Sequence, residues 1–111
     1  MIYFKYANNS ILYHKMYTIS TQLYRLAARR ILDVIADRNY FSGSIAFVYG
    51  DIECRFTASL MIRHTRRELP EGVFEAVSEV VPVWWEFHTS CGGTGEILND
   101  FSFAELAGYL Y

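Results

Sequence analysis

Two runs of alternating apolar and polar residues lie on either side of Gly50-Asp51, and this pattern restricts the fold more than any other feature of the chain. Gly50 and Asp51 suit the two central positions of a tight hairpin turn. Pairing residues 41–49 with residues 52–62 about this turn predicts one apolar face, made of Tyr49/Ile52, Phe47/Cys54, Ile45/Phe56 and Phe41/Leu60. The other face receives Val48/Glu53, Ala46/Arg55, Ser44/Thr57 and Ser42/Ser59. A shift of one residue would mix the two sets, so the pattern itself predicts the register.

Helices are predicted on both sides of this strand region. Residues 19–37 place a stripe of apolar side chains on one helical face: Ile19, Leu23, Ala27, Ile31, Val34 and Ile35. Near the end of the chain, Ser102-Phe103-Ala104-Glu105 fits a capping box that starts a second helix. A helix of about two turns is not stable alone. We therefore expect it to dock on the same sheet face as the first helix, through Phe103, Leu106 and Leu110.

The middle of the chain gives a weaker pattern. Leu69-Pro70-Glu71-Gly72 predicts a turn, and residues 73–79 form either one helical turn or an irregular extended segment. Val80–Thr89 alternates as a strand, and a glycine-rich turn then leads to a short return strand at 96–98. Regular alternation in residues 80–89 puts Val81, Val83, Trp85 and Phe87 on the covered face. It leaves the other face to Val80, Pro82, Trp84, Glu86 and His88.

Together these elements predict an α+β fold. An antiparallel β-meander of three to four strands has an N-terminal amphipathic helix and a short C-terminal helix packed on one face. The length of 111 residues predicts a single domain over residues 1–111, in which residues 1–17 are either a loosely docked arm or a short strand. No stretch reaches the ~20 apolar residues that span a bilayer, so no membrane partner is expected. Met1–Lys15 does not resemble a signal peptide, and two cysteines without framework spacing favour a reducing, cytoplasmic location.

The charges divide sharply along the chain. Residues 1–67 hold ten basic and four acidic side chains, whereas residues 68–111 hold eight acidic and no basic ones, so +6 and −8 give the net charge of −2. The two halves either neutralise each other in the fold or give the surface a dipole that attracts a partner. A net charge this close to zero argues against general nucleic-acid binding.

Function is expected on the sheet face that the helices leave uncovered. The two tryptophans at 84 and 85 cannot both enter the core, because adjacent strand residues point to opposite sides. A large ring among charged groups is typical of an interface anchor, so we predict a partner-binding site made of Arg55, Trp84, Glu86 and His88. In the alternative reading, Arg55 stacks on Trp84 and pairs with Glu86, which only completes the sheet surface. The predicted function is non-enzymatic protein binding, with self-association as its favoured form.

A basic run provides the alternative function. Arg63, Arg66 and Arg67 form a candidate anion-binding group, and with Arg25 and Arg29 they predict a nucleic-acid-associated accessory protein. The competing interpretation pairs these arginines with the acidic segment that follows them, which contains Glu68, Glu71, Glu75 and Glu79. Proximity in the chain favours this pairing, so nucleic acid is the less favoured partner.

Catalytic and metal chemistry have little support in the sequence. His88 precedes Cys91 by three residues, and a histidine lowers the pKa of a nearby thiol, but a glycine-rich turn explains the same residues. Residues 91–95, Cys-Gly-Gly-Thr-Gly, resemble half of the zinc-binding repeat of DnaJ-type chaperones, which has a cysteine where His88 stands. No catalytic residue, metal, cofactor or small-molecule substrate is therefore predicted.

Overall fold

The computed structural model describes residues 16–92 and 95–111. Within these residues the elements follow in the order α1 (Thr21–Ile35), β1 (Tyr40–Tyr49), β2 (Ile52–Leu69), β3 (Gly72–Cys91), β4 (Glu96–Ile97) and α2 (Phe103–Leu110). The four strands form one antiparallel sheet in the order β1-β2-β3-β4. The predicted α+β meander with a helix at each end is confirmed.

The first hairpin has the predicted register. Tyr49 is paired with Ile52, and the pairing continues without a shift to Tyr40 and Met61. Gly50 has φ of +62° in the turn, a left-handed conformation that glycine adopts without strain. The predicted apolar face forms the core, and Phe56 at its centre is fully buried.

Both helices cover this apolar face. The Ser20 side chain accepts a hydrogen bond from the Leu23 N–H at the start of α1, and the Ser102 side chain accepts one from the Glu105 N–H at the start of α2. Helix α1 is shorter than predicted, and its buried face includes Tyr24 and Ala28, whereas Val34 is partly exposed. In α2 the predicted docking residues Phe103, Leu106 and Leu110 are all buried.

Aromatic packing joins the helices to each other and to the sheet. The Tyr24 hydroxyl accepts a hydrogen bond from the Ser102 N–H at 3.1 Å, and its ring stacks on Tyr109 with centroids 5.8 Å apart. Phe101 stacks on Phe87 of β3 with centroids 4.0 Å apart. The sheet face opposite these contacts is the uncovered face, and the helices do not reach it.

Strands β2 and β3 continue well beyond the end of β1. The predicted turn at residues 69–72 is present, and residues 73–79 are extended rather than helical: they pair with residues 63–68, with one irregularity at Ser78. Residues 63–79 therefore form a two-stranded arm that extends past the three-stranded part of the sheet. With this arm the described part of the chain measures 64 × 26 × 21 Å.

Because of two β-bulges in β3, some of its side chains lie on the opposite face from the one predicted. Ser59 pairs with Trp84 and Leu60 with Pro82, which leaves Val83 without a partner, and a second shift occurs between Arg63 and His64. An extra residue reverses the alternation beyond it. Val80 is consequently buried on the covered face at 4% exposure, and Val83 is 63% exposed, the opposite of the sequence-based assignment. Trp84 keeps its predicted place on the uncovered face.

The start of the described chain is attached to the body. The Tyr17 N–H donates to the Leu98 carbonyl at 2.8 Å, and the Ile19 N–H donates to the Asp100 carboxylate at 2.8 Å. The prediction for residues 1–17 otherwise falls on residues 1–15, which lie outside the described residues. Among the described helices, neither combines the length and the apolar composition needed to cross a membrane.

Candidate functional site

A contiguous group of exposed apolar side chains lies on the uncovered face. We call it the Trp84 patch: Tyr40 (54% exposed), Met61 (52%), Val83 (63%) and Trp84 (44%). The register places Tyr40 opposite Met61 and Met61 opposite Val81, and Trp84 lies one row further along the face. Single exposed apolar residues are ordinary on a protein surface, but a contiguous group of this kind is typical of a contact surface.

Small hydroxyl side chains border the patch. The Ser42 and Ser59 hydroxyl oxygens are 3.0 Å apart, and those of Ser44 and Thr57 are 2.7 Å apart. Ser59 lies directly across from Trp84 and is almost fully buried, although neither of the two described helices covers this face. The patch therefore borders a small buried residue that lies between Ser42 and Trp84.

His88 lies between two carboxylates at the other end of the face. Its Nδ1 is 2.5 Å from an oxygen of Glu96, and its Nε2 is 2.9 Å from an oxygen of Glu86. These hydrogen bonds, that of Glu86 before that of Glu96, raise the pKa of His88 against a smaller opposing effect of burial. The protonated imidazolium can donate from both nitrogens, so it joins β3 to β4 in this form.

The predicted four-residue site is separated into two parts. Arg55 lies opposite His88, and Trp84 lies opposite Ser59, four residues further along β2. That separation corresponds to about 13 Å along the strand, so the stacking of Arg55 on Trp84 considered from the sequence is not present. Glu86 bonds to His88 rather than to Arg55. Trp84 thus belongs to the apolar patch, and the other three residues belong to a polar cluster.

The polar cluster borders a cleft of about 470 Å³. Its walls include Ala46 and Val48 from β1 on one side and Glu96 from β4 on the other, with Arg55 and His88 between them. Both acidic and basic groups line the cleft, including Glu53, Arg55 and Glu96, so it does not present one sign of charge to a ligand.

The arm brings the two oppositely charged parts of the chain together. The change from basic to acidic sequence occurs next to its turn, so the basic side chains of β2 run beside the acidic ones of β3. Arg63 Nε is 3.5 Å from a Glu79 carboxylate oxygen, and Arg66 is opposite Glu75. Both members of the Arg63–Glu79 pair are exposed, so the pair contributes little to stability. Along the arm, the two oppositely charged parts of the chain therefore neutralise each other, as in the first of the two expectations from the sequence.

The remaining predicted basic residues lie elsewhere. Arg25 and Arg29 are exposed on α1, and the Arg25 guanidinium is 5.9 Å from the ring centre of Tyr109. Arg67 lies opposite Phe74 near the tip of the arm. Helix and arm thus present these cations on separate elements.

A cysteine–histidine pair is not assembled. His88 and Cys91 are three residues apart on β3 and so leave the strand on opposite faces, and both ring nitrogens of His88 already contact glutamates. Burial raises the pKa of the Cys54 thiol to about 11 and keeps it protonated at neutral pH. In the part of the chain that the structure describes, no group of three or more His, Cys, Asp or Glu side chains has an arrangement suited to a metal ion.

Comparisons of this chain with protein-family models, with curated proteins and with solved structures find no match. The geometry of the uncovered face is therefore the basis for a functional proposal.

The bonds of His88 predict a pH dependence. The pKa of His88 is raised in the folded protein, so its stabilisation is complete below the unfolded value of about 6.5 and is lost as the pH rises through the folded value. We expect wild type to be more stable than His88→Gln at pH 5.5, by about 1 kcal/mol or less because the site is solvent-screened. The difference should shrink towards pH 8.5 in urea unfolding. A difference that grows with pH would contradict the imidazolium bridge.

Proposed function

We propose that this protein is a non-enzymatic binding domain that associates with a second copy of itself through the uncovered sheet face around Trp84. The observation that carries the proposal is the Trp84 patch, in which four large apolar side chains are 44–63% exposed on a face without helices. Burial of such side chains against a partner contributes roughly 25 cal/mol per Å². Tryptophan is among the residue types that most often dominate the binding energy of an interface.

A second copy is the favoured partner because the uncovered face carries both members of a pair of opposite charges. Arg63 on β2 and Glu79 on β3 lie side by side next to the patch, so a two-fold arrangement can pair each charge with its opposite. Nucleic-acid binding through Arg25, Arg29 and residues 63–67 stays an untested alternative. It has less support because the arm sets acidic side chains beside its basic ones. A cytoplasmic location, expected from the cysteine content, stays part of the proposal.

Trp84→Arg is the experiment that tests this function. It should raise the dimer dissociation constant at least 100-fold, equivalent to about 2.7 kcal/mol, because a charge replaces a large apolar ring of the interface. Sedimentation equilibrium over a range of protein concentrations measures the constant. The fold should persist, as judged by circular dichroism and urea unfolding, because Trp84 is partly exposed and outside the core.

Val73→Arg is the matched control. Val73 is 53% exposed but lies on the other face of the sheet, so its replacement should change the dissociation constant less than about threefold. A wild-type protein that remains monomeric at the highest concentrations studied would overturn self-association. A dimer that Trp84→Arg leaves intact would place the interface elsewhere.

A further inference from the structure

We infer that the arm at residues 63–79 completes the dimer interface, with two copies packed uncovered face to uncovered face so that β2 of one copy lies over β3 of the other. This inference rests on the proposed self-association and specifies its orientation. The partner that packs against the arm is therefore a second copy of this chain.

The first argument is that none of the residues described by the structure forms a layer over the arm. Residues 65–76 are exposed except for Gly72, which is half-buried, and they include the large apolar side chains of Leu69 and Phe74 on the uncovered face. A two-stranded ribbon in water is only marginally stable unless something packs against it. Packing against a second copy would supply the missing layer.

The second argument is size. A stable protein interface buries about 800 Å² per partner and involves about 20–30 residues on each side. The four residues of the Trp84 patch are too few for this, and the arm extends the same face by Arg63, Thr65, Arg67 and Leu69 on β2 and by Phe74, Ala76 and Glu79 on β3. The patch and the arm face together supply eleven side chains on one face, which is closer to that size than the patch alone.

The third argument is complementarity across a two-fold axis parallel to the strands. That axis places Arg63 of one copy over Glu79 of the other, and the small Ser59 over the large Trp84. It also places Arg67 over the ring of Phe74, a favourable cation–aromatic contact. With the axis across the strands, β2 would lie over β2, and arginines would approach arginines. The distribution of charge and size therefore favours the parallel arrangement.

Substitutions at two adjacent arm residues test which face of the arm lies in the dimer interface. Phe74 lies on the uncovered face and Val73 on the opposite one, and their exposures are similar at 48% and 53%. Phe74→Arg should raise the dimer dissociation constant tenfold or more, and Val73→Arg less than threefold. Equal effects of the two changes would overturn face-to-face packing in favour of edge pairing. Both sites are exposed, so neither change should unfold the protein.

Charge reversal tests the orientation. Arg63→Glu alone and Glu79→Arg alone should each weaken dimerisation by about tenfold, because each change creates two like-charge contacts across the axis. An equimolar mixture of the two variants restores opposite charges only between chains, not within them. The mixture should form heterodimers within about threefold of wild-type affinity, measured by sedimentation with one variant carrying a fluorescent label.

The outcomes separate this inference from the proposed function. A monomeric wild-type protein overturns both. A dimer that Trp84→Arg dissociates, but that Phe74→Arg and the charge reversals leave unchanged, overturns only the role of the arm. Tighter association of Arg63→Glu with wild type than with Glu79→Arg would show β2 over β2 and overturn the orientation.

Discussion

Replacing Phe56 with alanine is expected to lower the free energy of unfolding by about 3–5 kcal/mol. Phe56 on β2 is fully buried, and its ring centroid lies 6.2 Å from both Phe101 and Phe103. Its removal leaves a cavity between the sheet and α2, and a short helix cannot easily move to fill that space because aromatic contacts hold it at several points. Urea unfolding followed by circular dichroism measures the loss.

Val48→Ala is the control for this core substitution. Val48 belongs to the neighbouring strand but points to the uncovered face and is 58% exposed, so its truncation should cost about 0.5 kcal/mol or less. A cost below about 1 kcal/mol for Phe56→Ala would contradict the central position of Phe56 in the core.

Deleting one residue from β3 should lower the free energy of unfolding slightly at Val83 but strongly at Glu86. Deletion of Val83 makes Pro82 and Trp84 neighbours, and these residues already lie on opposite faces, so the alternation is preserved. We expect a cost of about 1 kcal/mol or less, since Val83 is largely exposed. Deletion of Glu86 makes Trp85 and Phe87 neighbours although both now face the core. Since each core side chain contributes about 1.5–3 kcal/mol, we expect a loss of roughly 4 kcal/mol or a failure to fold.

Glu86→Ala separates the loss of the residue from the loss of its side chain. Glu86 is exposed and bonds to His88, so truncation should cost about 1 kcal/mol or less. Comparison of the three variants by thermal and urea unfolding tests the bulge directly. If deletion of Val83 is as damaging as deletion of Glu86, the extra residue of β3 does not lie at Val83.

The sequence was most informative where side-chain pattern and burial coincide. The register about Gly50-Asp51 was predicted correctly because one face of that hairpin is buried, and a shifted register would have moved its apolar side chains into water. The Ser102 cap was predictable for a local reason, since the capping bond joins residues three positions apart. The docking residues of α2 were predicted because a helix of about two turns is not stable unless its apolar side chains pack against the sheet.

The arm was not predictable because its residues are not buried. Arg63 to Glu68 have no apolar alternation, and these strands are held by backbone pairing across the turn at residues 70–71. The bulge at Val83 was not predicted for a related reason. Whether a strand contains an extra residue depends on its pairing with the neighbouring strand, and the sequence of β3 alone does not give that pairing. The contact of His88 with Glu96 required the placement of β4 beside β3.

The amino-acid sequence by itself determined the two helices, the first hairpin and its register, the face on which the helices dock and the position of Trp84 on the other face. These features depend on local periodicity and on the cost of exposing an apolar face. Only the tertiary structure decided that β2 and β3 extend into an arm, that Val80 and Val83 exchange faces, and that Trp84 joins Met61 and Tyr40 rather than Arg55. Each of these depends on the alignment of one strand with another, which is a property of the assembled sheet.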